Sequence, residues 1–113
     1  MTANEAKQIT NKIREDNSDS IMETLIEESE EKIQSAAEAG LDSTVVTVRC
    51  LPVDEVLLKR KVYSYFEQLG YRVTCAIYDS FGTRRFQVVI NWGDNNGIWL
   101  FRFGASNFGN GER

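Results

Sequence analysis

The side chains of this 113-residue chain that could act as acids, bases or nucleophiles are carboxylates, lysines, tyrosines and two cysteines, because the sequence contains no histidine. Cys50 and Cys75 do not form a Cys-x-x-Cys pair, and each lies in an apolar run typical of a strand. The sequence therefore predicts neither a zinc site nor a disulfide framework. We expect both thiols to be reduced and buried as small apolar groups.

The carboxylates of the second half of the chain lie where structural roles explain them. Asp54 and Glu55 follow Pro52 at a predicted helix start, and acidic side chains stabilise a helix N-terminus. Residues 94–97 include part of a calcium-loop pattern but lack its twelve-residue spacing and its closing glutamate. No glycine-rich phosphate loop is present. The sequence predicts no cofactor, no metal site and no enzymatic activity.

Basic residues beside aromatic ones suggest nucleic-acid binding as an alternative function. Lys59, Arg60 and Lys61 are consecutive on a predicted helix, where neighbouring side chains point about 100° apart. They cannot form one tight patch, and the acidic first half of the chain would repel a polyanion. The sequence disfavours a nucleic acid as the partner. The other residues of this alternative are Arg72, Arg84, Arg85 and Arg102, beside Tyr78, Phe86 and Trp99.

The chain divides near Gly40 into an acidic segment and an aromatic segment. Residues 1–42 contain eleven acidic and four basic side chains, whereas residues 43–113 contain six acidic and nine basic ones. All twelve aromatic residues lie beyond Gly40. We predict an acidic helical arm over residues 1–42, a compact α/β unit over 43–103 and a glycine-rich tail over 104–113. The opposite net charges favour attraction within the fold or between neighbouring molecules.

Two apolar runs with helical spacing predict the helices of the arm. The first run includes Ile9 and Ile13, and the second ends at Gly40, a residue type that often caps a helix C-terminus. Between the runs, residues 16–20 are poor in helix formers and rich in capping residues. We therefore predict a break or kink near Asn17, with two helices in the arm.

The acidic face of the second arm helix is the first candidate interaction site. Glu23, Glu27 and Glu31 recur every four residues and so share one helix face. Like charges at this spacing oppose an isolated helix, so packing on a sheet of the same chain or on a partner must hold this helix in place. A basic surface on a host protein or on the next subunit would complement this face.

Alternating and β-branched runs predict the strands of the compact unit. Residues 44–51 and 71–79 are the first two predicted strands, and the helix between them ends at Gly70. A short turn at residues 79–83 leads into a third strand that ends at Trp92. The Asn96-Gly97 pair is a strong hairpin signal, which predicts a fourth strand over Ile98–Phe103.

A helix between two strands of one sheet predicts that these strands are parallel, with a right-handed crossover, and that the later strands add as an antiparallel meander. The predicted fold is α+β, in the order α-α-β-α-β-β-β, with the helical arm packed on a small mixed or antiparallel sheet of three or four strands. Helices on one sheet face leave the other to be covered. Trp99, Phe101 and Phe103 on the fourth strand are therefore the second candidate interaction site, and we expect a homo-oligomer or a receptor surface.

Four short motifs are spread over about residues 3–92 of the chain. They are Ala6-Lys7-Gln8-Ile9-Thr10, Ala36-Ala37-Glu38-Ala39-Gly40, Leu69-Gly70-Tyr71-Arg72-Val73 and Ile90-Asn91-Trp92. With these motifs the chain resembles small proteins of tailed phages, mostly without assigned function, that have an acidic N-terminal helix followed by a β-α-β-β unit. The resemblance implies a viral origin and no particular chemistry. This chain departs from the shorter pattern by residues 93–113.

The sequence thus predicts a non-enzymatic phage-type protein that acts through contacts with itself, another viral protein or a host protein. We predict a self-associating virion or assembly component. The alternatives are an early accessory factor that binds a host protein or a small signalling molecule, and a nucleic-acid-binding module. The chain has no signal-peptide pattern and no apolar window of about eighteen residues, which predicts no membrane partner and a location in the host cytoplasm or the virion.

Overall fold

The computed structural model describes residues 1–93 of the chain. Its elements are helix α1 (Ala3–Glu38), strand β1 (Ser43–Arg49), helix α2 (Glu55–Gln68), strand β2 (Arg72–Ser80) and strand β3 (Thr83–Asn91). The predicted α+β class, the three strands and the helix between the first two strands are confirmed. The predicted fourth strand at 98–103 and the tail at 104–113 lie outside the described residues.

The N-terminal arm contains one continuous helix of 36 residues, so the predicted break near Asn17 is wrong. A capping box begins the helix: the Thr2 hydroxyl accepts from Glu5 N at 3.1 Å, and the Glu5 carboxylate accepts from Thr2 N at 2.8 Å. In the middle of the helix, Ser18 is buried and Asn17 Nδ2 donates to the Pro52 carbonyl at 2.9 Å. The hydrogen bond of Asn17 supports the helix through this segment of weak helix propensity, whereas the buried Ser18 hydroxyl has no hydrogen-bond partner among the described residues.

Both helices end at the predicted glycines. Gly40 and Gly70 have φ angles of 83° and 92°, in the left-handed region that glycine adopts at little cost. The N–H groups of the residues that follow them donate back to the Ala36 and Phe66 carbonyls, at 2.9 and 3.1 Å. These bonds satisfy carbonyl groups that the helix ends would otherwise leave without partners.

The sheet has the strand order β1-β3-β2, and β3 is antiparallel to both neighbours. β1 and β2 therefore run in the same direction, as predicted, but β3 lies between them and is not added outside β2 as the next strand of the predicted antiparallel meander. α2 connects the two edge strands across β3, as in a split β-α-β arrangement. Both edges of β3 are paired, with β1 and with β2. Only the outer edges of β1 and β2 are open to a further strand.

A two-residue turn of Phe81 and Gly82 joins β2 to β3, which confirms the short turn predicted at residues 79–83. The φ angles of 50° and 78° are those of a type I′ turn, whose twist matches that of the flanking strands. Asparagine, aspartate or glycine is the usual first residue of such a turn. A phenylalanine there is unusual, because a bulky side chain is strained at positive φ.

Both helices pack on the same face of the sheet, α1 against β1 and α2 against β2. α1 contributes Ile21 and Leu25 to the core. Burying side chains of this kind contributes roughly 1.5–3 kcal/mol each. The second half of α1 is thus part of the core, and the arm packs on its own sheet as predicted. The sheet and α2 contribute Val46, Val48, Cys50, Leu58, Val62, Phe66, Phe86, Val88 and Ile90.

Candidate functional site

The first half of α1 projects beyond the sheet. Residues 1–16 are all exposed, and Ser18 is the first buried side chain of the helix. We call residues 3–16 the projecting segment, which is about 21 Å long at the rise of an α-helix. It leaves the sheet at the end where β1 stops, because Asn17 contacts Pro52 shortly after that strand.

The projecting segment carries an apolar stripe that faces away from the sheet. Ile9 and Ile13 are 52% and 51% exposed, whereas Leu25 in the second half of the helix is fully buried. At about 100° per residue, Ile9 lies about 160° around the helix axis from Leu25. The apolar stripe of α1 therefore changes face near Ser18. This change of face, and not a break in the helix, explains why the apolar pattern is interrupted in the sequence.

The three predicted acidic residues continue the same outward face. Glu23, Glu27 and Glu31 are exposed, and none makes an ion pair among the described residues. Glu27 follows Ile9 by about five helical turns and so lies on the same line of the helix. The outward face of α1 is thus apolar at its beginning and acidic further on. The other candidates, Trp99, Phe101 and Phe103, lie outside the described residues.

The sheet face opposite the helices ends in two neighbouring arginines. Arg49 and Arg85 are partners on β1 and β3, and Tyr78 on β2 is the next neighbour of Arg85. Cys50 N donates to the Arg84 carbonyl at 2.9 Å, so Arg49 and Arg85 form a non-hydrogen-bonded pair, whose side chains lie closer together. Neither makes an ion pair in the described part of the chain. Like charges opposite each other are destabilising, so this arginine pair favours an anionic neighbour.

Phe81 at the tip of the β2–β3 hairpin is the functional candidate that the sequence analysis missed. Its side chain is 105% exposed, and its φ angle of 50° is strained for a phenylalanine. Strained positions of this kind cost of order 1–3 kcal/mol and cluster at functional sites. The signal in the sequence is the Phe-Gly pair between two strands, where Asn-Gly would form the turn at lower cost. The tip lies beyond Arg85, at the same end of the sheet as the arginine pair.

An apolar cleft of about 220 Å³ lies between the second halves of α1 and α2. Edge-to-face contacts link the aromatic rings that line it: the ring centroids of Tyr65 and Phe66 are 5.0 Å apart, and those of Phe66 and Tyr71 are 6.1 Å apart. Tyr71 in turn contacts Trp92 at 6.0 Å. We call this the aromatic cleft. Its lining comprises Ser29, Glu30, Ile33, Gln34, Tyr65, Phe66, Leu69 and Tyr71.

The two thiols are free, with Cys50 buried and Cys75 partly buried. Burial raises the pKa of Cys75 from 9.0 to about 11, and burial also raises the pKa of Cys50. The thiolate is the nucleophilic form of cysteine. Neither thiol is therefore activated for nucleophilic chemistry.

We expect Cys75 to react slowly with Ellman's reagent at pH 8 in the folded protein. The rise in pKa from 9.0 to about 11 lowers the thiolate fraction about 100-fold. The measurement compares a Cys50→Ala variant in native buffer and in urea, where the ordinary pKa returns. The Cys75 thiol loses its proton at lower pH in the unfolded chain than in the folded protein. We therefore also expect the free energy of unfolding to fall as the pH rises from about 9 to about 11. Equal reaction rates in both buffers would contradict the expected protection.

Among the described residues, the basic side chains of the nucleic-acid alternative are divided between α2 and the sheet, where Arg85 neighbours Tyr78. Lys61 lies on α2 and pairs with Asp19 of α1 at 3.3 Å. Arg72 lies on the sheet, where it donates to Asn91 Oδ1 at 2.8 Å. Phe86, one of the aromatic residues expected to stack on bases, is fully buried in the core. Arg102 and Trp99 lie outside the described residues.

Comparisons of the chain with protein-family models, with curated proteins and with solved structures found no match. Neither α1 nor α2 offers a stretch of apolar sequence long enough to cross a membrane. Within residues 1–93, there is no cluster of three or more metal-ligating side chains (His, Cys, Asp or Glu) that could hold a metal ion. The resemblance to phage proteins, the viral origin it implies and the predicted functions stay predictions.

Proposed function

We propose that this protein is a non-enzymatic phage-type protein that works through protein–protein contacts, as a self-associating virion or assembly component. The observation that supports the proposal best is the apolar stripe of the projecting segment, with Ile9 and Ile13 pointing away from the sheet of their own chain. Most helical stability in proteins comes from packing of an apolar face, and the apolar face of this segment has no such contact among the described residues. Because each isoleucine is already about half buried, covering its exposed half against a second helix would contribute roughly 1 kcal/mol.

A second copy of the projecting segment is the partner that fits this stripe. Residues 3–16 contain three acidic and three basic side chains, so two such segments can pack together without net repulsion. Residues 17–38 contain seven acidic side chains and one basic side chain, so two copies would repel each other along that part of the helix. Charge thus confines the contact to the projecting segments. A twofold pair of this kind is the commonest form of oligomer.

Replacing Ile9 and Ile13 together by serine should convert a dimer at micromolar concentration into a monomer. The substitutions remove the apolar groups of the contact but leave the core intact, because both side chains are about half exposed. Sedimentation equilibrium measures the mass of each form. The matched control replaces Gln8 and Asn11 by serine, which changes two exposed polar residues of the same segment. A wild-type protein that stays monomeric at high micromolar concentration would refute self-association.

A role as an early accessory factor is the second candidate, and it is favoured by the acidic face of α1, which makes no ion pair among residues 1–93. Glu23, Glu27 and Glu31 would complement a basic surface on a host protein. Mass spectrometry of purified virus particles separates the two roles. A virion component is present in the particles at a fixed ratio to other structural proteins, whereas an accessory factor is found only in the host cytoplasm.

A further inference from the structure

The exposed hairpin tip and the aromatic cleft lie at opposite ends of β2. β2 begins at Arg72, directly after the cleft residue Tyr71, and ends at Ser80, directly before Phe81. A strand of nine residues spans about 30 Å. One copy of the chain therefore cannot place its own Phe81 in its own cleft.

We propose that Phe81 of one copy inserts into the aromatic cleft of a second copy, in a head-to-tail contact that rests on the self-association proposed above. The tip presents a fully exposed aromatic ring that the fold does not use. The cleft presents apolar and aromatic surface from Ile33, Tyr65 and Leu69. Aromatic rings favour edge-to-face contacts with one another, and the cleft already contains such pairs.

Opposite charges beside the tip and the cleft give this contact its direction. The arginine pair of Arg49 and Arg85 lies at the same end of the sheet, a few residues behind the tip, and has no ion-pair partner among the described residues. Closer to Phe81, Asp79 and Arg84 offset each other in an ion pair at 3.5 Å. Glu30 lines the cleft, and Glu27 and Glu31 lie beside it on the same helix. None of these three glutamates makes an ion pair within residues 1–93. Arginine against glutamate therefore supports docking of the tip into the cleft and opposes contact between two tips or two clefts.

The contact joins two different surfaces, so every added copy presents another free tip and another free cleft. Contacts of this type close into rings or continue as filaments. A virion or assembly component needs such a contact to build an array from twofold dimers. The contact is small, since one aromatic side chain and its charged neighbours make most of it, and we expect it to form at higher protein concentration than the helix contact.

Two substitutions test the contact without disturbing the fold. Phe81→Asn creates the Asn-Gly pair that type I′ turns prefer, so this variant should be at least as stable as the wild type. Leu69→Lys alters an exposed residue of the cleft, and a cation at the C-terminal end of α2 is favourable. Both variants are made in the background with Ile9→Ser and Ile13→Ser, which removes the helix contact.

Light scattering over a range of concentration measures the remaining association. We expect each variant alone to weaken it at least about tenfold. An equimolar mixture should form a heterodimer that does not grow, because Phe81 of the Leu69→Lys copy can enter the intact cleft of the Phe81→Asn copy.

Association of Phe81→Asn that equals the background would overturn the head-to-tail contact, as would a mixture that stays monomeric. A background that is monomeric at every concentration would also overturn it. That last result leaves the helix contact of the wild type standing, so it does not refute self-association itself.

Discussion

Replacing Leu25 by alanine should lower the free energy of unfolding by about 3 kcal/mol. Leu25 is fully buried where α1 packs on the sheet. Its truncation removes apolar contacts and leaves a cavity, because a packed core closes only partly around a missing side chain. Urea denaturation followed by circular dichroism measures the change. A lower midpoint with an unaltered slope of unfolding free energy against urea concentration would show that the substitution changes stability and not the compactness of the unfolded chain.

Ile13→Ala is the matched control for this prediction, since it shortens an aliphatic side chain of the same helix. Ile13 is 51% exposed on the outward face, so we expect a change below about 0.5 kcal/mol. Both variants must be compared at concentrations where the protein is monomeric, because association adds to apparent stability. Equal losses from Leu25→Ala and Ile13→Ala would show that the apolar stripe of α1 does not change face.

Local sequence signals were sufficient to predict most of the elements. Gly40 and Gly70 end their helices because the required left-handed backbone is open to glycine, and this requirement is visible in the sequence. The alternation of β2 and the β-branched residues of β1 likewise depend on neighbours in the chain. Each of these signals acts over a few residues, which is why a single sequence can show them.

The failures concern contacts between residues that are distant in the sequence. Asn17 is held in the helix by the Pro52 carbonyl, 35 residues away, and no pattern around Asn17 shows this bond. The position of β3 between β1 and β2 depends on which strands meet, whereas alternation shows only which face of a strand is buried. A crossover helix favours parallel strands, but it does not require them to be neighbours.

The candidate site shows the same division between local and distant information. The spacing of Glu23, Glu27 and Glu31 placed them correctly on one exposed face, because helical periodicity decides this. The orientation of this face away from the sheet is set by tertiary packing, which helical periodicity does not show. In the sequence, Phe81 belongs to an ordinary short turn, and its importance appears only when its positive φ and its full exposure are seen together.

Removing residues 1–41 should abolish the folded state. The deletion takes Ile21, Leu25 and Ala36 from the core and uncovers the apolar face of β1. The remaining unit is small, and chains of about 60 to 70 residues are marginal even with a complete core. We expect a polypeptide that aggregates and lacks a cooperative thermal transition in calorimetry. A soluble fragment with a cooperative transition would show that the core of the sheet and α2 does not depend on α1.

A shorter deletion of residues 1–15 separates the two roles of α1. It removes the projecting segment but keeps Ser18, Ile21 and Leu25, and it leaves Asp16 as a good N-terminal residue for the shortened helix. We expect this variant to unfold cooperatively with nearly the stability of the monomeric full chain, yet to lose the twofold contact in sedimentation. The first half of α1 would then serve association and the second half the fold. A 1–15 deletion that unfolds the protein would instead assign both halves to the core.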